Sequence, residues 1–246
     1  MREHFNYLVI DGKSSRDFDA YLTGAGTFSS PERSYEEVQI PGKNGTIFLY
    51  DGNFKNIEVS YEGWIARPED PEYVYQHFRE MKNFLLSRKG SFRLEDTYHP
   101  DEFRFANYIS AIEPEMLEDY QGAVFTLKFN CKPQRFLKKY YDYPLEYLTT
   151  NQRFINETYF EAKPLIRAYG TGTFTINGVS LKINSASSYT DIDCELQEAY
   201  KDTFATNCNG NITLTNGKFP VIEPGVNTIT FTGITKLVIY PRLYVI

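Results

Sequence analysis

The chain has 246 residues, 41% of them hydrophobic, and carries a formal charge of −6. That acidity speaks against a protein that grips nucleic acid through clustered basic residues, and no apolar run approaches the length of a membrane-spanning helix. Twenty Tyr and nineteen Phe against one Trp move the expectation towards β-structure, where flat side chains pack on the pleat.

The amino-terminal MREHFNYLVIDGK starts with charge but has no secretory apolar core, so synthesis in the cytoplasm is expected. Asp11-Gly12 after the apolar run Tyr7 to Ile10 predicts a strand and a tight turn. Val38 to Ile40 predicts a strand that delivers Pro41-Gly42-Lys43-Asn44-Gly45 to the surface as a turn. A second turn is predicted at Asp51-Gly52, between Ile47 to Tyr50 and a strand starting at Ile57. In that strand Ile57, Val59, Tyr61 and Ile65 alternate with Glu58, Ser60, Glu62 and Trp64, the period of one buried face, and Gly63 reads as a bulge.

Residues 70–90 form the one strong helical pattern. Asp70 suits the cap and Pro71 the first turn, while Val74, Phe78, Met81 and Leu85 make one apolar stripe. Arg88 and Lys89 favour the negative end of the dipole, and Gly90 suits a left-handed residue beyond it. Further strands are predicted from Phe103 to Ile112 and from Ala123 to Lys132, the latter with Phe125, Leu127, Phe129 and Cys131 on one face. Pro133 ends that run, and a domain boundary is placed near Arg135, giving domains 1–135 and 136–246. The second domain carries two predicted hairpins. Asn177-Gly178 sets Ile176 opposite Val179 and Phe174 opposite Leu181, and Asn216-Gly217 sets Leu214 against Phe219 and Ile212 against Val221. With Ile229 and Phe231 alternating with Thr228, Thr230 and Thr232, this is the pattern of a small antiparallel β-sandwich.

Little in the chain points to catalysis. His4, His77 and His99 are scattered, and no Ser or Cys stands in a nucleophile-elbow sequence. Glu95-Asp96, Asp101-Glu102 and Glu113-Pro114-Glu115 are acid pairs of the kind a glycosidase uses, but among 32 acids such neighbours arise by chance and read as solvated turns. Asp191 and Asp193 offer oxygen ligands without a calcium loop around them and are expected on an exposed strand face. Cys131, Cys194 and Cys208 lack zinc or redox spacing and read as free buried thiols. The basic-aromatic stretch Arg135 to Tyr143 has the ingredients of a single-strand binding surface, but as one patch in an acidic chain it reads as a linker packing its aromatics into a neighbouring domain or subunit. No enzyme activity, cofactor or metal is expected.

The order of these pieces resembles the distal tail protein (Dit) family of long-tailed phages. The resemblance rests on Phe5 to Gly12, Pro31 and Arg33, Pro41 to Gly45, Asp51-Gly52-Asn53-Phe54, the helix with Gly90, Leu94-Glu95-Asp96, Phe103 and Ala106, and Phe129 to Pro133. It continues through Asn156, Pro164, Asn177-Gly178, Asp191 to Cys194, Phe219-Pro220, Pro224-Gly225 and Thr232-Gly233. It implies a mainly β chain of two domains: an N-terminal β-barrel or sheet domain with one packed helix, which forms a ring, and a C-terminal galectin-like antiparallel β-sandwich. It implies a structural virion protein at the distal end of the tail, a homohexameric ring joining the tail tube protein to the hub or lysin protein, to baseplate or receptor-binding proteins where present, and open to passing DNA. No sequence-specific nucleic acid binding or membrane contact is implied. On this reading Val38, Pro41, Gly42, Lys43, Asn44, Gly45 and Phe48 are the candidate partner interface, because their turn chemistry serves no evident core. The alternative reading is a carbohydrate-binding module, although the one Trp, Trp64, lies outside the sandwich segment where a galectin-type site would need it.

Overall fold

The computed structural model describes residues 5–24, 26, 28–66, 70–117 and 122–246. The fold is mainly β, and the chain divides into two compact units, Met1–Arg135 with Ile246, and Phe136–Val245.

The first unit contains β1 (Leu8–Ile10), β2 (Lys13–Ser14), β3 (Ala20–Leu22), β4 (Arg33–Gln39), β5 (Thr46–Phe54), β6 (Ile57–Ala66), helix α1 (Pro71–Leu86), β7 (Phe92–Asp96), β8 (Glu102–Tyr108), β9 (Glu115–Met116) and β10 (Gly122–Cys131). Asp11 and Gly12 both take positive φ, so β1 and β2 close as a two-residue hairpin with Ile10 opposite Lys13. The main sheet runs β2-β1-β7-β8-β10-β6-β3, with β9 also on β10. Its spine is the β6–β10 pair, in register from Ile57↔Cys131 to Ala66↔Gly122. The period-two pattern places Ile57, Val59, Tyr61, Ile65, Phe125, Leu127, Phe129 and Cys131 in the core.

Helix α1 lays Val74, Phe78, Met81 and Leu85 on that core, and Asp70 caps its start by accepting the N–H of Tyr73 at 3.1 Å. It stops earlier than the pattern suggested, at Leu86, where the Ser87 hydroxyl donates to the Phe84 carbonyl at 3.0 Å. Arg88 is drawn away from the helix end into an ion pair with Asp11, and Gly90, at φ 82, turns the chain towards β7 instead of capping the helix. Gly63 is not a bulge. It pairs regularly with Phe125, and a Cβ there would sit 2.7 Å from the Phe125 ring and 2.8 Å from the Tyr21 carbonyl, so glycine permits close packing. Asp51-Gly52 is not a turn either: both lie inside β5, where Gly52 at φ 76 accommodates a register shift opposite Arg33 and Tyr35.

From β11 (Arg135–Leu137) and the short α2 (Lys138–Tyr141) the chain enters the second unit: β12 (Leu145–Tyr147), β13 (Gln152–Asn156), β14 (Leu165–Tyr169), β15 (Gly172–Ile176), β16 (Val179–Ile183), β17 (Tyr189–Asp193), β18 (Glu198–Lys201), β19 (Thr203–Asn207), β20 (Ile212–Leu214), β21 (Gly225–Thr232), β22 (Lys236–Tyr240) and β23 (Tyr244–Val245). One sheet has the order β12-β22-β14-β17-β18-β19 and the other β13-β21-β15-β16-β20. Phe174, Ile176, Leu181, Ile229 and Phe231 from the second meet Ile166, Ala168, Ile192, Leu237 and Ile239 from the first in a single core, a sandwich of two antiparallel sheets. The Asn177-Gly178 hairpin has the predicted register, Ile176↔Val179 and Phe174↔Leu181. The Asn216-Gly217 hairpin does not form. Leu214 and Ile212 pair with Leu181 and Ile183 of β16 instead, while Phe219 leaves the sheet to pack on the core, and Pro220 has no N–H for a ladder.

Candidate partner interface

Strands β4 and β5 form a two-stranded sheet of their own, apart from the main sheet. Between them, Pro41 and Gly42 occupy the centre of a turn closed by the Lys43 N–H donating to the Ile40 carbonyl at 3.1 Å. Gly42 has φ 81 and Gly45 φ 84, so the glycines meet a backbone demand that a side chain would strain. Pro41, Gly42, Lys43, Asn44, Gly45 and Phe48 are exposed and Val38 is half-buried. The structure thus brings all seven predicted residues together at one end of this arm.

Cross-strand register sorts the arm into two faces. Tyr35↔Tyr50 and Glu37↔Phe48 share one, and Val38↔Ile47 with Glu36↔Leu49 share the other. The first is aromatic: the Tyr35 ring meets Phe48 edge-on at 5.2 Å and Tyr50 at 6.2 Å. The second is aliphatic. Both are open to solvent, with Phe48 46%, Leu49 52% and Tyr50 63% exposed. An isolated two-stranded hairpin is marginal in water, and large apolar side chains are exposed on both faces of this one, a pattern that in general accompanies interaction sites. Reading the turn alone left out the exposed Tyr35, Leu49 and Tyr50. Their signal was present in TIFLY, whose unbroken apolar run, unlike an alternating one, leaves no polar face.

A groove of about 400 Å³ opens elsewhere on the first unit, beside the solvent face of β6 and β10, lined in part by Glu62, Glu113, Glu115, Val124 and Phe125.

The other candidate groups serve the fold. Glu95 pairs with Arg93 at 2.6 Å, Glu102 with Arg135 at 3.2 Å, and Asp96 accepts the Tyr61 hydroxyl at 2.8 Å and lies 3.1 Å from His99 Nδ1. These acids are therefore not solvated turns. Burial, followed by the neighbouring Asp96 carboxylate, holds the Tyr61 hydroxyl well above its ordinary range. Burial, then the charge of Arg135, lowers the pKa of Arg104. His77 stacks on Tyr73 at 3.9 Å, and His4 lies outside the described residues.

Asp191 and Asp193 are buried, not on an exposed face. Asp191 takes two bonds from Arg167, at 2.6 and 2.9 Å, and Asp193 takes two from Arg242, both 3.0 Å, so each charge is neutralised by a fork and neither is left for a cation. The bonds to Asp191 raise the pKa of Arg167. Burial works against the charge of Arg242, but the bonds to Asp193 outweigh it. The arginines lie 24 and 49 positions away along the chain, which is why sequence reading left the acids at the surface. Cys131 and Cys194 are buried free thiols and Cys208 is half-buried. Among the described residues no group of three or more His, Cys, Asp or Glu could hold a metal ion. In the Arg135 to Tyr143 stretch, Phe136 packs on Tyr141 and Tyr244, and the Arg242 guanidinium lies over Tyr141 at 5.6 Å. Trp64 belongs to the first unit, packed on Tyr21 and Phe5 at 5.1 and 5.3 Å.

Residues 21–131, which include the arm, match the family model described as the phage tail protein RIFT-related domain. The first unit is thus similar to a phage tail protein domain. No curated protein sequence matches it. Among solved structures, this chain shares its fold with the Dit protein of phage SPP1, described as a paradigm of the hub adsorption apparatus in phages infecting Gram-positive bacteria: TM-score 0.71, 14% identity, 95% of this chain and 97% of that chain covered. Chains from the phage P2 baseplate in its activated conformation match with TM-score 0.54 over the same shares, at 12% identity in the calcium form and 11% in the strontium form.

Proposed function

We propose that this protein is a structural subunit of the distal tip of a phage tail, forming a homohexameric ring that joins the tail tube to the hub and baseplate proteins and leaves a channel for DNA. The observation that carries this reading is agreement of fold with the SPP1 hub protein along 95% of the chain, across both units. The first unit is the ring-forming domain and the second, a galectin-like sandwich, decorates it. A cyclic ring is built from heterologous contacts, in which each subunit presents two different surfaces, and the β4–β5 arm supplies one of them. An acidic subunit suits a lumen through which a polyanion slides without sticking.

The test is negative-stain imaging of concentrated protein, alone and on purified tails, where a sixfold collar at the tail tip is the expected result. Phe48→Ser with Leu49→Ser should abolish the collar while changing the stability of the free chain by no more than about 0.5 kcal/mol, as expected for exposed positions. Tails that never acquire a collar, or phage that stays infectious without this protein, would refute the reading.

A further inference from the structure

We propose that the tip of one copy's arm, residues 40–45 with Lys43 at its crown, seats in the groove between Glu62, Glu113 and Glu115 of a second copy. This rests on the ring reading and supplies it with a contact. Three observations lead to it. First, no residue of the arm lines the groove, so a chain does not fill its own. Second, the charges match. Lys128 also lines the groove, but its ammonium sits 3.6 Å from Glu58. Glu62, Glu113 and Glu115 are exposed, and among the described residues none of the three stands in an ion pair; nor does Lys43. Third, the arm's own charges fix how it enters. Lys43 is the only charged residue of the tip, and two neutral cross-strand pairs, Gln39↔Thr46 and Val38↔Ile47, separate it from Glu36 and Glu37. The arm therefore enters end-on and stops where its first carboxylates would meet those of the groove. Tip and groove are different surfaces on one chain, so the contact propagates head to tail and closes only as a ring.

The experiment uses the full chain carrying Cys208→Ser, with Asn44→Cys and Thr126→Cys placing a thiol at the tip and one in the groove. Both positions are exposed, so the fold is retained. A short bis-maleimide should produce a ladder of covalent multimers from the double variant and none from either single variant. Lys43→Glu should weaken assembly about tenfold or more, several copies of a rim ion pair being lost together, and Glu115→Lys in the same chain should restore much of it. Rings that form without a ladder, or a ladder unaffected by Lys43→Glu, would overturn the tip contact and leave the ring intact. A chain that forms neither ring nor ladder, alone or on tails, would overturn both.

Discussion

Replacing Asp193 by alanine removes one partner of an ion pair that the second unit keeps almost out of water. The Asp193 side chain is 4% exposed and that of Arg242 17%. The carboxylate also accepts the backbone N–H groups of Glu195 and Leu196 at 3.0 and 3.1 Å. Breaking a buried pair from one side costs about 3–5 kcal/mol, because the remaining charge is left uncompensated. Arg242 keeps some access to water and Glu195 and Leu196 are exposed, so the low end, ~3 kcal/mol, is expected. Asp193→Asn preserves an acceptor for the N–H groups and should cost about half as much, while Asp193→Leu with Arg242→Met, which removes both charges, should recover part of the loss. Urea unfolding followed by circular dichroism measures this, and Trp64 provides an internal control. It is the one Trp of the chain and belongs to the first unit, so its fluorescence reports that unit alone. A midpoint shift of about 1–3 M is expected in the transition of the second unit. A loss below about 1 kcal/mol for Asp193→Ala, or equal losses for the alanine and asparagine variants, would refute this account of the pair.

Gly63→Ala should destabilise the first unit by about 1–3 kcal/mol, since its Cβ would enter space held by the Phe125 ring and the Tyr21 carbonyl, and the Trp64 transition reads the loss. Burial raises the Cys131 thiol from 9.0 to about 11, and the stability tied to a raised pKa is complete below pH 9 and disappears as pH climbs through 11. The first unit should therefore lose up to ~3 kcal/mol across that interval, and Cys131→Val should flatten the fall in urea midpoint. Under native conditions Ellman's reagent should titrate one thiol quickly, Cys208, with Cys131 and Cys194 reacting only in urea.

The parts of this fold that were legible in the sequence are those whose cause is local. The alternation from Ile57 to Ile65, the stripe of α1 with its Asp70 cap, and the Asn177-Gly178 register each depend on residues a few positions apart, and each stands as read. The misreadings share a physical origin. Asp51-Gly52 has the composition of a turn, but opposite it β4 shifts register, and the pair serves that shift within a continuous strand. Asn216-Gly217 offers the same turn chemistry, yet Ile212 to Leu214 pair with β16 instead. Asp191 and Asp193 looked like surface acids because their arginines arrive from β14 and from the segment after β22. At the candidate interface the tip was legible because glycine and proline signal turns. The arm's two open faces were not, because exposure depends on where the rest of the chain does not go.

The β4–β5 arm also bears on how the free chain behaves. A newly made chain carries a ribbon whose two outer edges pair with no other strand among the described residues, and an exposed aromatic flank, the combination that ordinarily drives indiscriminate clumping. Glu36, Glu37 and Asp51 are threaded through that same ribbon. Two ribbons laid side by side would bring these acids near one another, a repulsion that works against such pairing and leaves the cationic Lys43 tip as the part of the ribbon suited to docking.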